Sequence, residues 1–216
     1  MKNPIIPSLN IPVRSIFCIG RNYLEHAKEM GQQAPNEPLV FLKPLSSICY
    51  TNSKVKLPNQ SKDIHHEVEL VLAIGKQGKN ISKETALEHV AGFGIGIDFT
   101  ARDLQKKAKE KGLPWSIAKG FDNFAPIGSF TPFSSDAFPE CTISVSVNGE
   151  KRQHGTTSDM IFDVPTLISF LSTIFTLEKG DLIFTGTPEG VSSVKKGDLV
   201  EACIENVEST LTVTIA

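Results

Sequence analysis

The chain has 216 residues, 40% of them hydrophobic and 21% charged, and a net charge of −2 from 22 basic and 24 acidic side chains. That balance fits one ordinary globular domain with a sizeable core and predicts no nucleic-acid partner. No apolar run reaches membrane-spanning length and Met1-Lys2-Asn3-Pro4 lacks a signal-peptide core, so the expectation is a cytoplasmic protein with no membrane partner.

In chain order, residues 14–19 read as a short strand ending at Gly20, and 23–30 have helical composition with Gly31 as a stop. Residues 39–42 form a short apolar strand closed by Pro44, and Pro58-Asn59 marks a turn. The run 67–74 has strand-like Val and Leu density and is followed by a polar loop over 75–79. Ser82 is read as the N-cap of a helix. Residues 90–100 place Gly92, Gly94 and Gly96 in a strand ending at Asp98, where glycines imply close backbone approach or a bend. A helix then starts at Thr100 or Ala101 and runs through Lys109 to stops at Gly112 and Pro114. Residues 141–147 alternate cleanly before Asn148-Gly149, a strong hairpin turn. Residues 164–173, with Pro165 in the first turn, read as a helix, and 182–185, 199–204 and 210–215 as strands. The sum is a strand-rich α+β chain with few helices and no repeat or linker.

The most informative stretch is His65-His66-Glu67-Val68-Glu69-Leu70. Side chains alternate faces along a strand, so Glu67 and Glu69 point the same way while Val68 and Leu70 point into core. Either this face is solvated, or the two carboxylates share a hard divalent cation, since Mg²⁺, Mn²⁺ and Ca²⁺ all choose oxygen ligands. Asp98, at the end of another apolar strand, would complete three oxygen ligands. His26 and Glu29 share a helix face at i and i+3, either as part of a mixed-charge surface or as an imidazole oriented by a carboxylate to take a proton from water. Lys119 lies in an apolar setting, Ser116-Ile117-Ala118-Lys119-Gly120-Phe121, either snorkelling or facing a developing oxyanion. The loop Gly186-Thr187-Pro188-Glu189-Gly190 could hold an anion or be purely structural. The four cysteines, Cys18, Cys49, Cys141 and Cys203, are scattered without a C-x-x-C pair and predict free thiols; Cys18 as a nucleophile finds no support nearby.

Taken together, Gly20-Arg21-Asn22-Tyr23 with His26 and Glu29, His66-Glu67-Val68-Glu69-Leu70, Asp98-Phe99-Thr100-Ala101-Arg102-Asp103-Leu104-Gln105, Gly112-Leu113-Pro114-Trp115 with Ala118-Lys119, and Gly186-Thr187-Pro188-Glu189-Gly190-Val191 resemble the fumarylacetoacetate hydrolase family, in its small single-domain acylpyruvase branch. The motifs follow family order from about Arg14 to the C-terminus. The resemblance implies an α+β fold built on a rolled mixed β-sheet, a single catalytic domain over 1–216 with 1–13 as a short lead-in, and a homodimer. It implies Glu67, Glu69 and Asp98 as ligands of Mg²⁺ or Mn²⁺, with Ca²⁺ as a substitute. His26 and Glu29 match the water-activating dyad on a lid, Lys119 the lysine facing the reacting carbonyl, and Gln105 the glutamine beside it. Arg102 and Thr187 match positions near the substrate carboxylate. The implied reaction is hydrolysis of the C–C bond of a small 2,4-dioxo acid (an acylpyruvate), with oxaloacetate decarboxylation or tautomerisation open to the same machinery. The alternatives are a hydratase or isomerase of 2-oxo-dienoates and a non-catalytic metal-binding homodimeric scaffold.

Overall fold

A computed structural model describes residues 3–29, 31, 33–205 and 207–216. The fold is a strand-rich α+β arrangement around a curled mixed sheet of seven strands. Their order is Leu39–Lys43, Ile16–Gly20, Leu182–Phe184, Val68–Ile74, Val90–Ile97, Ala125–Pro132 and Ile48–Tyr50. Neighbours run antiparallel except for Leu182–Phe184 beside Ile16–Gly20 and Ala125–Pro132 beside Ile48–Tyr50. A five-stranded sheet (Glu150–Thr156, Thr142–Val147, Leu199–Ile204, Ser209–Ile215, Lys54–Val55) supplies the second layer. A three-stranded sheet places Ile64–His66 between Thr100–Ala101 and Ser192–Val194.

The strand Val68–Ile74 is buried at every position. Val68, Leu70, Leu72 and Ile74 pack into one cluster with Ile143, Val145, Val200 and Leu211 of the five-stranded sheet. Val71 and Ala73 face a second cluster with Ile16, Cys18 and Phe184. A strand covered on both faces has to be continuously apolar, as this run is after Glu69. Glu67 and Glu69 lie on the same face as Val71, so their carboxylates sit at the end of the second core and not in water. The lead-in is part of that core: Ile5–Ile6 and Ile11–Pro12 pair as a hairpin, and Ile6 and Val13 are fully buried.

Several expectations shift at their edges. The helix expected over 23–30 spans Leu24–Glu29, and Met30 lies outside the described residues. The segment after Ser82 is a 3-10 helix, Lys83–His89, and Ser82 gives it no side-chain cap. Its three-residue period turns both Ala86 and His89 inward, and His89 Nδ1 meets the Lys76 carbonyl at 2.8 Å. The strand expected to end at Asp98 ends at Ile97; Thr100–Ala101, expected to open the next helix, instead pairs with Ile64–His66 in another sheet, so that helix starts only at Arg102.

The glycines of Val90–Ile97 do mark close approach. A Cβ on Gly94 would lie 2.6 Å from the Ser129 carbonyl oxygen of the neighbouring strand and 2.8 Å from the Phe130 ring. Because the nearest atom is backbone, no side-chain rotation relieves the clash. Gly94→Ala is expected to lower stability by about 1–3 kcal/mol, read as a fall in the urea midpoint at unchanged slope. An unchanged midpoint would contradict the packing described.

Candidate active site

Glu67, Glu69 and Asp98 come together at one end of the seven-stranded sheet. Each offers a carboxylate oxygen, and the three oxygens lie within 4.8 Å of one another, all on buried side chains. The backbone brings them there: the Asp98 amide donates to the Glu67 carbonyl at 2.8 Å where the strands Val68–Ile74 and Val90–Ile97 begin and end. Such crowding of carboxylates is tolerated only beside compensating charge.

Two buried lysines and an arginine provide part of it. Lys119 Nζ, from the short helix Ser116–Lys119, donates to Glu67 Oε2 at 2.7 Å and to Asp98 Oδ2 at 2.5 Å. Arg102 donates to Glu67 Oε1 and, through its other terminal nitrogen, to Gln105 Oε1 at 2.7 Å. Burial works against ionisation of Glu67, but the Lys119 ammonium and the Arg102 guanidinium outweigh it and hold its carboxyl well below the usual carboxylate range. Lys119 is held charged in the same way: burial disfavours the ammonium, and Asp98 and Glu67 more than restore it. Among the described residues Glu69 meets no cation. It accepts one hydrogen bond, from the Gly186 amide at 2.7 Å, and burial, then the Asp98 and Glu67 charges, push its carboxyl well above the ordinary value.

Sequence reasoning missed Lys43, which ends the apolar strand Leu39–Lys43. Its Nζ donates to the carbonyls of Phe99 (3.1 Å), Phe124 (2.9 Å) and Lys119. An ammonium has three N–H groups, and these carbonyls consume all of them. Nζ nevertheless lies 2.6 Å from Asp98 Oδ1. That contact is an ion pair, and among the described residues no N–H or O–H is directed at Oδ1 in a hydrogen bond. A buried oxygen with unused lone pairs, beside an unneutralised Glu69, fits a hard divalent cation, with Glu67, Glu69 and Asp98 as its holders. Cys18, one strand away, is fully buried, and burial together with the Asp98 charge pushes its thiol well above its usual value, so it serves as packing.

His26 is buried on the helix Leu24–Glu29, and its Nδ1 lies 3.2 Å from Glu29 Oε2. A carboxylate only accepts, so Nδ1 carries the hydrogen and a neutral ring keeps its lone pair on Nε2. Glu29 Oε1 accepts from the Gly190 amide at 3.2 Å, tying this helix to the loop that holds Thr187. The helix is anchored at its base by Asn22, which is fully buried; its Nδ2 donates to the carbonyls of Phe162 (3.0 Å) and Thr185 (2.8 Å), and its Oδ1 accepts from the Phe162 amide (2.8 Å). Gly186 adopts φ +101°, and a Cβ there would sit 2.6 Å from Asn22 Cβ, so this turn of the loop requires glycine.

Thr187 is oriented by Gln153, a second residue that sequence reading passed over. Gln153 Oε1 accepts from the Val68 amide at 3.0 Å, so the 2.9 Å contact with His66 Nδ1 makes His66 the donor there. His66 Nε2 then accepts from the Ser192 hydroxyl at 2.9 Å, and burial keeps the ring neutral by pushing its pKa down. Gln153 Nε2 donates to Thr187 Oγ1 and to the Pro188 carbonyl, both at 2.8 Å. With one lone pair of its oxygen taken by Gln153, the Thr187 hydroxyl keeps its own proton free to donate to a group in the cavity. Gln153→Leu is expected to cost roughly 2–4 kcal/mol of stability, because it strands several buried polar groups at once. Gln153→Glu keeps the acceptor toward His66 and Val68 but turns an acceptor oxygen toward the Pro188 carbonyl, so it should recover only part of that loss in a thermal melt.

The cavity above the carboxylates is small, about 30 Å³, and its lining includes Arg21, His26, Phe41, Lys109, Trp115 and Thr187. Phe41 and Trp115 pack ring to ring at 5.6 Å, and Lys119 lies 4.8 Å from the centre of the Phe41 ring. All nine residues singled out by sequence therefore fall in one region: Glu67, Glu69, Lys119, Arg102, Gln105, His26 and Thr187 on the wall, with Asp98 beneath and Glu29 behind His26.

This fold and site define a class. Residues 15–215 match the model of the fumarylacetoacetate (FAA) hydrolase C-terminal family, and the chain belongs to that family. Among curated relatives, oxaloacetate decarboxylase, mitochondrial, of Dictyostelium discoideum is 46% identical over 200 residues, covering 91% of each chain. Oxaloacetate tautomerase YcgM of Escherichia coli is 43% identical over 193 residues, covering 88% of each. Among solved structures, fumarylpyruvate hydrolase from Pseudomonas aeruginosa in complex with Mn²⁺ and pyruvate superposes with a TM-score of 0.93 at 40% identity, over 100% of this chain and 95% of that one. Among the described residues no helix is long and apolar enough to cross a membrane.

Proposed function

We propose that this chain is a divalent-cation-dependent enzyme of small 2-oxo acids that hydrolyses the C–C bond of acylpyruvates, and that decarboxylates or tautomerises oxaloacetate with the same machinery. The observation that carries this reading is the pairing of a three-carboxylate cluster, one oxygen of which has no donor, with a His26–Glu29 pair on the same cavity. The relatives named for oxaloacetate chemistry and for fumarylpyruvate hydrolysis support it. Mg²⁺ or Mn²⁺ at Glu67, Glu69 and Asp98 would supply Lewis-acid polarisation of the 2-oxo group.

The protein's own residues do the rest. Thr187 binds and orients the carboxylate of the 2-oxo acid, and Gln105 stands with Lys119 at the reacting carbonyl. His26 Nε2, its ring set by Glu29, removes a proton from a water. The resulting hydroxide adds to the distal carbonyl carbon, and Lys119 offsets the negative charge on that carbonyl's oxygen. The bond from that carbon to C3 then breaks, its electron pair stays with the pyruvate half, and C3 takes up a proton. Oxaloacetate reaches the same electron distribution by losing CO₂ or a C3 proton, with no attacking water. We propose a homodimer as the working assembly, checked by light scattering.

The test is a panel of acetylpyruvate, fumarylpyruvate and oxaloacetate with Mg²⁺ or Mn²⁺. Stoichiometric release of pyruvate and the matching acid supports hydrolysis. Isomerisation without fragmentation across the panel would move the assignment to the isomerase reading, and no turnover of any member would remove it.

A further inference from the structure

The cavity wall carries more positive charge than the carboxylates beneath it use. Lys43, Lys119 and Arg102 are matched to Glu67 and Asp98. Arg21 and Lys109 line the same cavity, and among the described residues neither meets a carboxylate. Arg21 Nε is shut off from water and has no partner among the described residues, and Arg21 holds a left-handed backbone, φ +61°, that a side-chain-bearing residue adopts at a cost.

Lys109 lies on the helix Arg102–Glu110, four residues past Gln105 and seven past Arg102, so these three side chains share one face. Its Nζ is 5.2 Å from the centre of the Trp115 ring. Burial, and then the Arg102 and Arg21 guanidiniums, push its ammonium down to about 8. Like charges gathered at a cavity from two separate elements, neither of them in an ion pair among the described residues, are stabilised when a ligand brings the anion.

We propose that Arg21 and Lys109 form a second anion site at the rim of the cavity, which holds the distal carboxylate of a 2-oxo dicarboxylate. This rests on the 2-oxo acid reading above, which places the first carboxylate at the Glu67, Glu69 and Asp98 end. The substrate class is then dianionic: oxaloacetate, or an acylpyruvate whose acyl arm ends in a carboxylate. An uncharged acyl arm gains nothing from the rim. Arg102 is already engaged by Glu67 and Gln105, which leaves the distal group to the two unengaged cations.

The experiment compares Lys109→Met, Arg21→Gln and the double variant with wild type in the Mn²⁺-loaded protein. Calorimetry gives Kd for 2-oxoglutarate, a dianion, and for pyruvate, a monoanion. Kinetics give kcat/KM for oxaloacetate and for acetylpyruvate. The expected result is that the dianion-to-monoanion ratio falls by about tenfold or more in each single variant, the scale of one lost close charge pair. Lys109→Arg, which keeps the charge, should retain most of the ratio. An unchanged ratio, or an equal loss for both ligands, overturns the anion site. The two proposals fail separately. A wild type that turns over neither substrate refutes the activity, while a Kd ratio that still collapses in the variants upholds the site.

Discussion

Asp98→Ala is expected to abolish divalent-cation binding and with it every activity tested. Asp98 is fully buried, and it is the one carboxylate of the three that meets both buried lysines, Lys119 at 2.5 Å and Lys43 at 2.6 Å. Removing it takes away the oxygen with unused lone pairs, leaves the buried Lys43 ammonium without its carboxylate, and leaves Lys119 with Glu67 alone. Truncating one partner of a buried ion pair costs about 3–5 kcal/mol, so the alanine variant is also expected to melt early. Asp98→Asn preserves shape while removing the charge, and separates the two effects. In a folded Asp98→Asn protein, Mn²⁺ affinity should fall by more than about 100-fold, and acetylpyruvate and oxaloacetate turnover should fall together. Wild-type Mn²⁺ affinity in that variant, measured by calorimetry, would refute the assignment of the cluster as the metal site.

His26→Ala is expected to slow acylpyruvate hydrolysis by roughly 10²–10⁴-fold, the usual worth of a positioned general base. It should leave Mn²⁺ affinity nearly intact, since His26 donates to none of the three carboxylates. Glu29→Gln is the finer probe. A glutamine can still accept from the Gly190 amide through its oxygen, but it turns an amide N–H₂ toward His26 Nδ1–H and so disfavours the tautomer that keeps Nε2 free. Hydrolysis should therefore drop far more than oxaloacetate decarboxylation, which needs no attacking water. Equal loss of both rates would contradict the separation of water activation from electron withdrawal.

The metal-site candidates were legible because carboxylates are conspicuous inside apolar strands. Glu67 and Glu69 stand at the head of a run that has to be buried on both faces, and Asp98 ends another such run. Lys119 and the His26–Glu29 pair were legible for a similar reason, as charge set in small or apolar company. Lys43 was not, because one lysine between an apolar strand and Pro44 looks like an ordinary strand end; its environment is made of carbonyls from residues 99, 119 and 124. Gln153 hides in Glu150–Thr156, a polar segment in which it is the only buried residue. The Asn148-Gly149 turn announced that a partner strand followed but said nothing of which side chain would point inward. Ala125–Pro132 escaped notice because it contains Pro126, Gly128 and Pro132, residues that signal loops; a register shift between Ile127 and Phe130 absorbs the irregularity. Strands of two or three residues, such as Ile64–His66 and Ser192–Val194, are too short for alternation to register and exist through their partners.

The double engagement of Glu29, with His26 on one oxygen and Gly190 on the other, has a consequence for selectivity. A guest too bulky for the helix Leu24–Glu29 to rest against the Thr187 loop would break the Gly190 contact and, with it, the alignment of the imidazole. Such a compound would be held without being attacked. Discrimination by size would then show up as a slower turnover at saturation and not as weaker retention, and oversized analogues would behave as inhibitors.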